Sequence, residues 1–270
     1  MMHATARVAL CGFTLTLSAL GAGDPPAAVS APATVPEAAQ PPAADTQRPS
    51  SAAVLARMRE RYTKARTYRD TGTSVSKLAP GGERQLKFST VFDRNAGFRW
   101  RFVAGDEARA YEVWSMDQKT WNSWWGVTGE SERFNDFESA IAGPTGISSG
   151  TVQMVPVMLV IGPRQCSLLQ TLRPQPQVER QTIGGVACDV VSGTRFDRTI
   201  RLWIDDQGTL RQFTESYDID PERMAKAHPE DDILKGRKLE KFHVDQTVQY
   251  DPTFDAPVKP DETTFTPKEL

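Results

Sequence analysis

Apolar residues recur at helical spacing just after position 50. They fall on one face of a helix, and charged or small residues occupy the other positions. The members of this apolar face are Val54, Leu55, Met58 and Tyr62. Ser50 or Ser51 is a suitable N-cap, because a hydroxyl there accepts a hydrogen bond from the first turn. The pattern predicts one amphipathic helix, followed by a strand that begins at Thr67 and Tyr68.

Beyond this helix, apolar residues alternate with polar ones, which is typical of strands with one buried face. The alternating sets include Leu86, Phe88 and Phe92, then Phe98, Trp100 and Phe102, and later Ile200, Leu202 and Ile204. Turn residues separate the predicted strands at hairpin spacing, at 80–82, 95–97, 117–118, 184–185 and 205–208. The sequence therefore predicts a mainly β fold with some α (α+β), in which a single antiparallel sheet curls. One face of this sheet is expected to be apolar and the other polar.

The alternation stops in the middle of the chain, between 134 and 162. Helix-like stretches there are interrupted by a Gly- and Ser-rich segment at 143–150, and an apolar run follows at 155–161. Pro156 lies within this run, and proline fits the first turn of a helix better than a central strand. We expect two short helices that lie across the apolar face of the sheet.

The N-terminal residues differ in composition from the rest. Residues 8–20 are apolar or small, and Ala19, Gly21 and Gly23 offer a small-residue cleavage site. This predicts a signal peptide at 1–23, whose apolar core at 8–20 is too short to span a membrane. The alternative is the start of a buried helix. Residues 24–50 are rich in Pro and Ala and predict a disordered tether, so the folded domain is assigned to 51–270. Cys11 is preceded by Leu10 and sits inside the apolar stretch, which argues against a lipid anchor.

The net charge and the cysteine content indicate which kinds of protein this sequence resembles. The net charge of −2 is unlike that of a general nucleic-acid-binding protein. After export, the remaining cysteines are Cys166 and Cys188, and in an oxidising compartment such a pair predicts a disulfide. The alternative is two free buried thiols.

The sequence contains no catalytic or metal-binding motif of a familiar kind. Apart from His3, the histidines are His228 and His243, which are far apart and make a zinc site improbable. His243 is expected to be an exposed polar residue of a strand. The acidic clusters at 205–206 and 230–232 are interpreted as a turn and a solvated loop. We therefore expect no enzyme activity, no metal and no cofactor, with an envelope hydrolase as the remaining alternative.

Five short segments, in order along the chain, resemble the periplasmic lipoprotein carriers of the LolA-like superfamily. The segments are Arg94–Trp100, Asp117–Trp121, Val155–Leu159, Gly208–Phe213 and Phe265–Pro267. The resemblance implies an incomplete barrel of antiparallel strands whose apolar concave face is covered by short helices and holds the acyl chains of lipoproteins or other envelope lipids. It also implies a periplasmic protein, and we expect a monomer that has no transmembrane segment after export. An alternative with the same fold is a regulatory or scaffold domain that senses envelope lipids and contacts an envelope membrane protein.

On this interpretation the apolar side chains of the concave face bind the ligand. The predicted ligand contacts are Phe88, Phe92, Phe98, Trp100, Phe102, Trp121, Met158 and Leu159. The alternative is that these residues form an ordinary core. In the family, an arginine of the hairpin bonds to the backbone of the covering helices and keeps the empty cavity closed, and Arg94 is the matching residue. The alternative is that Arg94 is a surface charge beside the turn. Asn95 replaces the proline of the family motif, and Gln118 replaces a glycine.

Overall fold

The computed structural model describes residues 48–79, 82–105, 109–148, 153–220 and 241–267. These residues belong to one unit, Arg48–Leu270. The predicted signal peptide at 1–23 and the predicted tether up to residue 47 lie outside the described residues, as do His228 and the acidic cluster at 230–232.

Helix α1, Ser51–Lys64, begins and packs as the sequence predicts. The side chain of Ser50 caps it and accepts a hydrogen bond from the backbone N–H of Ala53 at 3.2 Å. Its buried side chains include the four predicted apolar residues Val54, Leu55, Met58 and Tyr62. Burial of this apolar stripe against the sheet therefore stabilises the helix.

Within the described ranges, the strands form one antiparallel sheet of 11 strands. The first six are β1 (Thr67–Ala79), β2 (Gly82–Asp93), β3 (Gly97–Val103), β4 (Ala110–Ser115), β5 (Trp121–Trp125) and β6 (Glu130–Phe134). The other five are β7 (Arg173–Ile183), β8 (Val186–Arg195), β9 (Arg198–Asp205), β10 (Leu210–Ile219) and β11 (Phe242–Phe254). Their order is β6-β5-β4-β3-β2-β1-β11-β10-β9-β8-β7, so two runs of hairpins meet where β1 pairs with β11. The edge strands β6 and β7 do not pair with each other. The sheet is therefore curled but not closed, which confirms the predicted fold class.

Three helices connect β6 to β7: α2 (Phe137–Ser148), α3 (Met154–Val160) and α4 (Ser167–Thr171). The two expected helices are confirmed, and Pro156 lies in the first turn of α3. The sequence analysis missed α4, because five residues are too few to show a helical period. Within the described ranges, no helix combines the length and the apolar character that a membrane crossing requires.

The two faces of the sheet differ less than the sequence suggests. The alternating residues of β2, β3 and β9 are buried in the main hydrophobic cluster, as predicted. On the opposite face, however, Trp114 and Trp124 both pack against Phe265 of the C-terminal segment, with ring centroids 5.2 and 5.3 Å apart. The expectation that this face is simply polar was wrong, because the C-terminal segment covers part of it.

Candidate functional site

The concave face of the sheet and helices α1, α2 and α3 share one continuous apolar cluster. We call these three the covering helices. α1 packs beside α3 and against β7 and β8, and α2 packs against β4, β5 and β6. Because the hydrophobic contacts between the covering helices and the sheet are not directional, another apolar surface of similar area can replace them.

All eight predicted ligand contacts lie in this cluster and are at most 5% exposed. Phe98, Trp121 and Phe137 of α2 form a triad, with centroid distances between 4.8 and 5.6 Å. Met158 and Leu159 belong to α3. In this arrangement Phe98 and Trp121 contact α2 and all eight residues are buried, so their role as ligand contacts stays a prediction that requires the helices to move.

A cavity of about 310 Å³ lies among α2, α3 and the segment that leads into α4. Its apolar lining comes from Ile141, Ala142, Val157 and Ile161, and its polar lining from Glu138, Gln153, Gln165 and Ser167. None of the eight predicted ligand contacts lines this cavity. Sequence reasoning missed it because the lining belongs to three short helical segments whose relative placement is decided by tertiary packing.

Arg94 joins the β2–β3 hairpin to the end of α1. Its Nε donates to the carbonyl oxygen of Ala65 at 3.0 Å, and its Nη2 donates to that of Thr63 at 3.1 Å. The last carbonyls of a helix have no partner within the helix, so the guanidinium satisfies groups that would otherwise need water. The geometry that the resemblance implied for Arg94, a fork on helix carbonyls, is present, whereas its role in closing a cavity stays a prediction.

Gln118 supports the same hairpin from the β4–β5 turn. Its side-chain amide donates to the carbonyl oxygens of Asp93 and Arg94, each at 2.9 Å. Its φ of 55° lies in the left-handed region that favours glycine, the residue that the family motif has at this position. The two side-chain hydrogen bonds offset the backbone cost of a non-glycine residue there.

Further polar contacts fix α1 on its other sides. Arg59 Nη2 donates to the carbonyl oxygen of Leu169 in α4 at 3.2 Å. Arg57 Nη2 lies 2.8 Å from a carboxylate oxygen of Asp189 and donates to the carbonyl oxygen of Asp205 at 3.2 Å. At its two ends, Ser51 donates to the carbonyl oxygen of Gln175 in β7 and Arg61 pairs with Asp255. α1 is therefore held by an apolar stripe and by directional contacts along its length.

A carboxyl group lies within the core beneath α1. Asp70 of β1 is 4% exposed and accepts a hydrogen bond from the hydroxyl of Tyr68 at 2.8 Å. Tyr68 in turn packs on Tyr62 of α1, with ring centroids 5.9 Å apart. Burial raises the pKa of Asp70 to about 7, since a charged form is disfavoured away from water. No ion pair to Asp70 exists within the described part of the chain.

The predicted disulfide is not formed in the structure, where Cys166 and Cys188 are both free and buried. Cys166 belongs to the main cluster on the concave face. Cys188 belongs to a second, smaller cluster with Val190 and Trp203. Alternate residues of a strand point to opposite faces, and Val191 of the same strand is in the main cluster. The sheet therefore separates the two sulfur atoms.

His243 is half-exposed, as expected. Its Nδ1 lies 2.7 Å from Asp218 and its Nε2 lies 3.2 Å from Asp245. Hydrogen bonds with Asp218 and Asp245 raise the pKa of His243. Among the residues that the structure describes, no group of three or more histidines, cysteines and acidic residues is placed to hold a metal.

A second cavity, of about 630 Å³, is lined by strands β1, β2, β10 and β11 and by the β7–β8 hairpin. Thr71, Thr73, Lys87, Gln249 and Asp251 contribute to it and alternate along their strands with residues of the concave face. These polar residues belong to the face opposite the covering helices. Phe88, one of the eight predicted ligand contacts, and Tyr250 line the same cavity beside Gly72, and its exposed lining is mostly apolar.

No family model and no curated protein matches the chain. Several solved structures are similar to it. A crystal structure of MucB in complex with MucA(peri) is 16% identical, with a TM-score of 0.41 over 80% of this chain, and this chain spans 60% of that MucB chain. A LolA superfamily protein from Nitrosomonas europaea is 10% identical, with a TM-score of 0.33 over 81% of this chain and 99% of that one.

A third similar structure is an outer membrane lipoprotein-sorting protein domain from Vibrio parahaemolyticus. It is 10% identical, with a TM-score of 0.29 over 77% of this chain and 95% of that one. The second of these structures is named as a member of the superfamily that the sequence motifs resemble. With TM-scores below 0.5, these similarities carry no inference about a ligand or an activity.

Proposed function

We propose that this protein is a periplasmic carrier that binds an apolar ligand between its curled sheet and its covering helices. The ligand class is acyl chains, either those of lipoproteins or those of other envelope lipids. The observation that carries the proposal is the combination of one apolar cluster with a few directional contacts at the ends and sides of α1. No chemical step is required of such a protein.

Acyl chains can replace the apolar contacts that α1 makes with the sheet at little cost in free energy. When α1 leaves the sheet, its apolar stripe loses contacts such as those of Tyr62 with Tyr68 and Phe254, and acyl chains restore a similar burial of apolar area. The hydrogen bonds of Arg94 have no counterpart in a bound hydrocarbon, so they favour the closed state. Arg94 is exposed, so water competes and we assign it about 1 kcal/mol.

Uptake of a fluorescent fatty-acyl probe tests the proposal. Wild-type protein is expected to bind the probe, and Arg94→Leu is expected to bind it about fivefold more readily, because about 1 kcal/mol of closure is lost. Arg69→Leu is the matched control, since Arg69 lies at the same end of the sheet but bonds to Glu262 and to the carbonyl oxygen of Pro257. The control should bind the probe as the wild type does.

Phe98→Asp places a charge within the concave face and is expected to abolish probe binding. Native mass spectrometry of protein purified from its own cells provides a second readout, in which co-purified lipid supports the proposal. Recovery of bare polypeptide, together with no probe uptake by the wild type or by Arg94→Leu, would refute it. A stable protein partner captured by crosslinking, without lipid transfer, would instead favour the regulatory alternative.

A further inference from the structure

Large hydrophobic side chains are exposed at three turns of the described chain. Phe196 is 78% exposed, Met116 is 65% exposed and Val127 is 56% exposed. In an antiparallel sheet the turns alternate between its two ends. The β8–β9 turn with Phe196 and the β5–β6 turn with Val127 lie at one end, and the β4–β5 turn with Met116 lies at the other.

The backbone at Phe196 is unfavourable for an aromatic residue. Phe196 and Asp197 form the two-residue turn between β8 and β9, closed by the pair of Arg195 and Arg198. Phe196 has a φ of 54°, and a positive φ at the first central position of such a turn is adopted most readily by glycine. Its ring is mostly in water, so packing within the protein does not compensate for this backbone cost. Folding alone does not explain a phenylalanine here.

The surroundings of Phe196 are basic. Arg195 and Arg198 flank the turn, and the guanidinium of Arg195 lies 5.5 Å from the ring centroid of Phe196. Arg173 of β7 is paired with Thr194 of β8, so its side chain belongs to the other face of the sheet and the basic pair at the turn is Arg195 and Arg198. Arg195 is fixed by a hydrogen bond from its Nε to the hydroxyl of Thr171 at 3.0 Å. Nearby carboxylates are Asp197 in the turn and the buried Glu215, which pairs with Arg198.

We propose that the β8–β9 turn docks the protein on a lipid bilayer, with Phe196 inserted among the headgroups and Arg195 and Arg198 beside anionic lipid phosphates. A single apolar side chain on a narrow turn is a poor protein interface, because a stable one buries roughly 1,000 Å² or more. By contrast, a single aromatic ring can insert into a bilayer, and anionic headgroups attract the positive charges beside it. Docking goes beyond the proposed ligand binding and does not depend on it.

Co-sedimentation with vesicles tests this docking. Phe196→Gly is expected to bind phosphatidylcholine–phosphatidylglycerol vesicles about tenfold more weakly than the wild type, because the inserted ring is lost. The substitution suits the left-handed backbone, so its thermal stability should equal or exceed that of the wild type. Met116→Ser is the matched control, since Met116 is similarly exposed at the opposite end, and it should leave binding unchanged. Wild type and variants are all compared without the predicted signal peptide at 1–23, whose apolar residues would themselves bind vesicles, and all carry the same residues 24–47.

The charge contribution has its own readout. Binding of the wild type should weaken on vesicles of phosphatidylcholine alone and at high salt. Equal vesicle binding by Phe196→Gly and wild type would overturn the proposal, and so would an equal loss in Met116→Ser. A change in self-association of Phe196→Gly without any change in vesicle binding would also overturn it and would assign the turn to a contact between copies of the chain. Acyl-probe uptake should be the same in Phe196→Gly and wild type, which separates this test from that of the proposed function.

Discussion

Raising the pH from about 5 to about 8 is expected to destabilise this protein through Asp70. The pKa of Asp70 in the folded state is about 7, against an ordinary value of 3.8. Between these two values the folded state holds a proton that the unfolded state has released. The stability is therefore fully present below the unfolded pKa and is lost as the pH rises through the folded pKa.

The magnitude follows from the two pKa values. At about 1.4 kcal/mol for each tenfold change in proton affinity, the full difference corresponds to about 4 kcal/mol, of which about 3 kcal/mol is lost between about pH 5 and pH 8. A domain of ordinary stability unfolds with about 5–15 kcal/mol, so the loss is a large share of the total. Asp251, which lies nearby on β11, contributes to the raised pKa through charge repulsion, but burial is the larger cause.

Denaturant unfolding of the wild type and of Asp70→Asn, followed by tryptophan fluorescence at several pH values, measures this effect. The asparagine keeps an acceptor for the hydroxyl of Tyr68 and cannot ionise. The variant should lose most of the slope between about pH 5 and pH 8, so that its stability relative to the wild type rises with pH. Asp251→Asn is the control and should keep most of the slope. A constant difference between wild type and Asp70→Asn across this range would refute the reasoning.

Three further outcomes follow from the packing. Glu112→Gln should lower the free energy of unfolding by about 2 kcal/mol. Glu112 is 1% exposed and pairs with both Arg99 and Arg101, and the variant removes the carboxylate that these two partly exposed guanidinium groups share; chemical denaturation checks this. Gly72→Ala should lower the free energy of unfolding by about 3 kcal/mol or more, because the added Cβ would lie 2.3 Å from the backbone oxygen of Gln249 in β11. A melting temperature equal to that of the wild type would contradict this. In the absence of a reductant, Cys166 and Cys188 should react with a thiol reagent once the protein is unfolded, but not in the folded protein. If they do not react in denaturant either, the disulfide is supported.

Much of the fold follows from local periodicity. The stripe of α1 and the alternation in β2, β3 and β9 were predicted because burial on one side of a helix or strand repeats at a fixed spacing. The turns at 95–97, 117–118, 184–185 and 205–208 were predicted from residues that tolerate tight backbone conformations. The polar residues of β1 gave no such signal, so nothing in the sequence indicated that Asp70 faces the core.

The candidate site depends more on contacts between distant parts of the chain. The sequence determined which residues are apolar and that Arg94 follows a strand next to a turn. Only the tertiary structure decided that β1 pairs with β11, that the guanidinium of Arg94 meets the end of α1, and that Cys166 and Cys188 lie on opposite sides of the sheet. The physical reason is that periodicity fixes the face to which a side chain points, whereas the partner across that face depends on how strands far apart in sequence pair and curl.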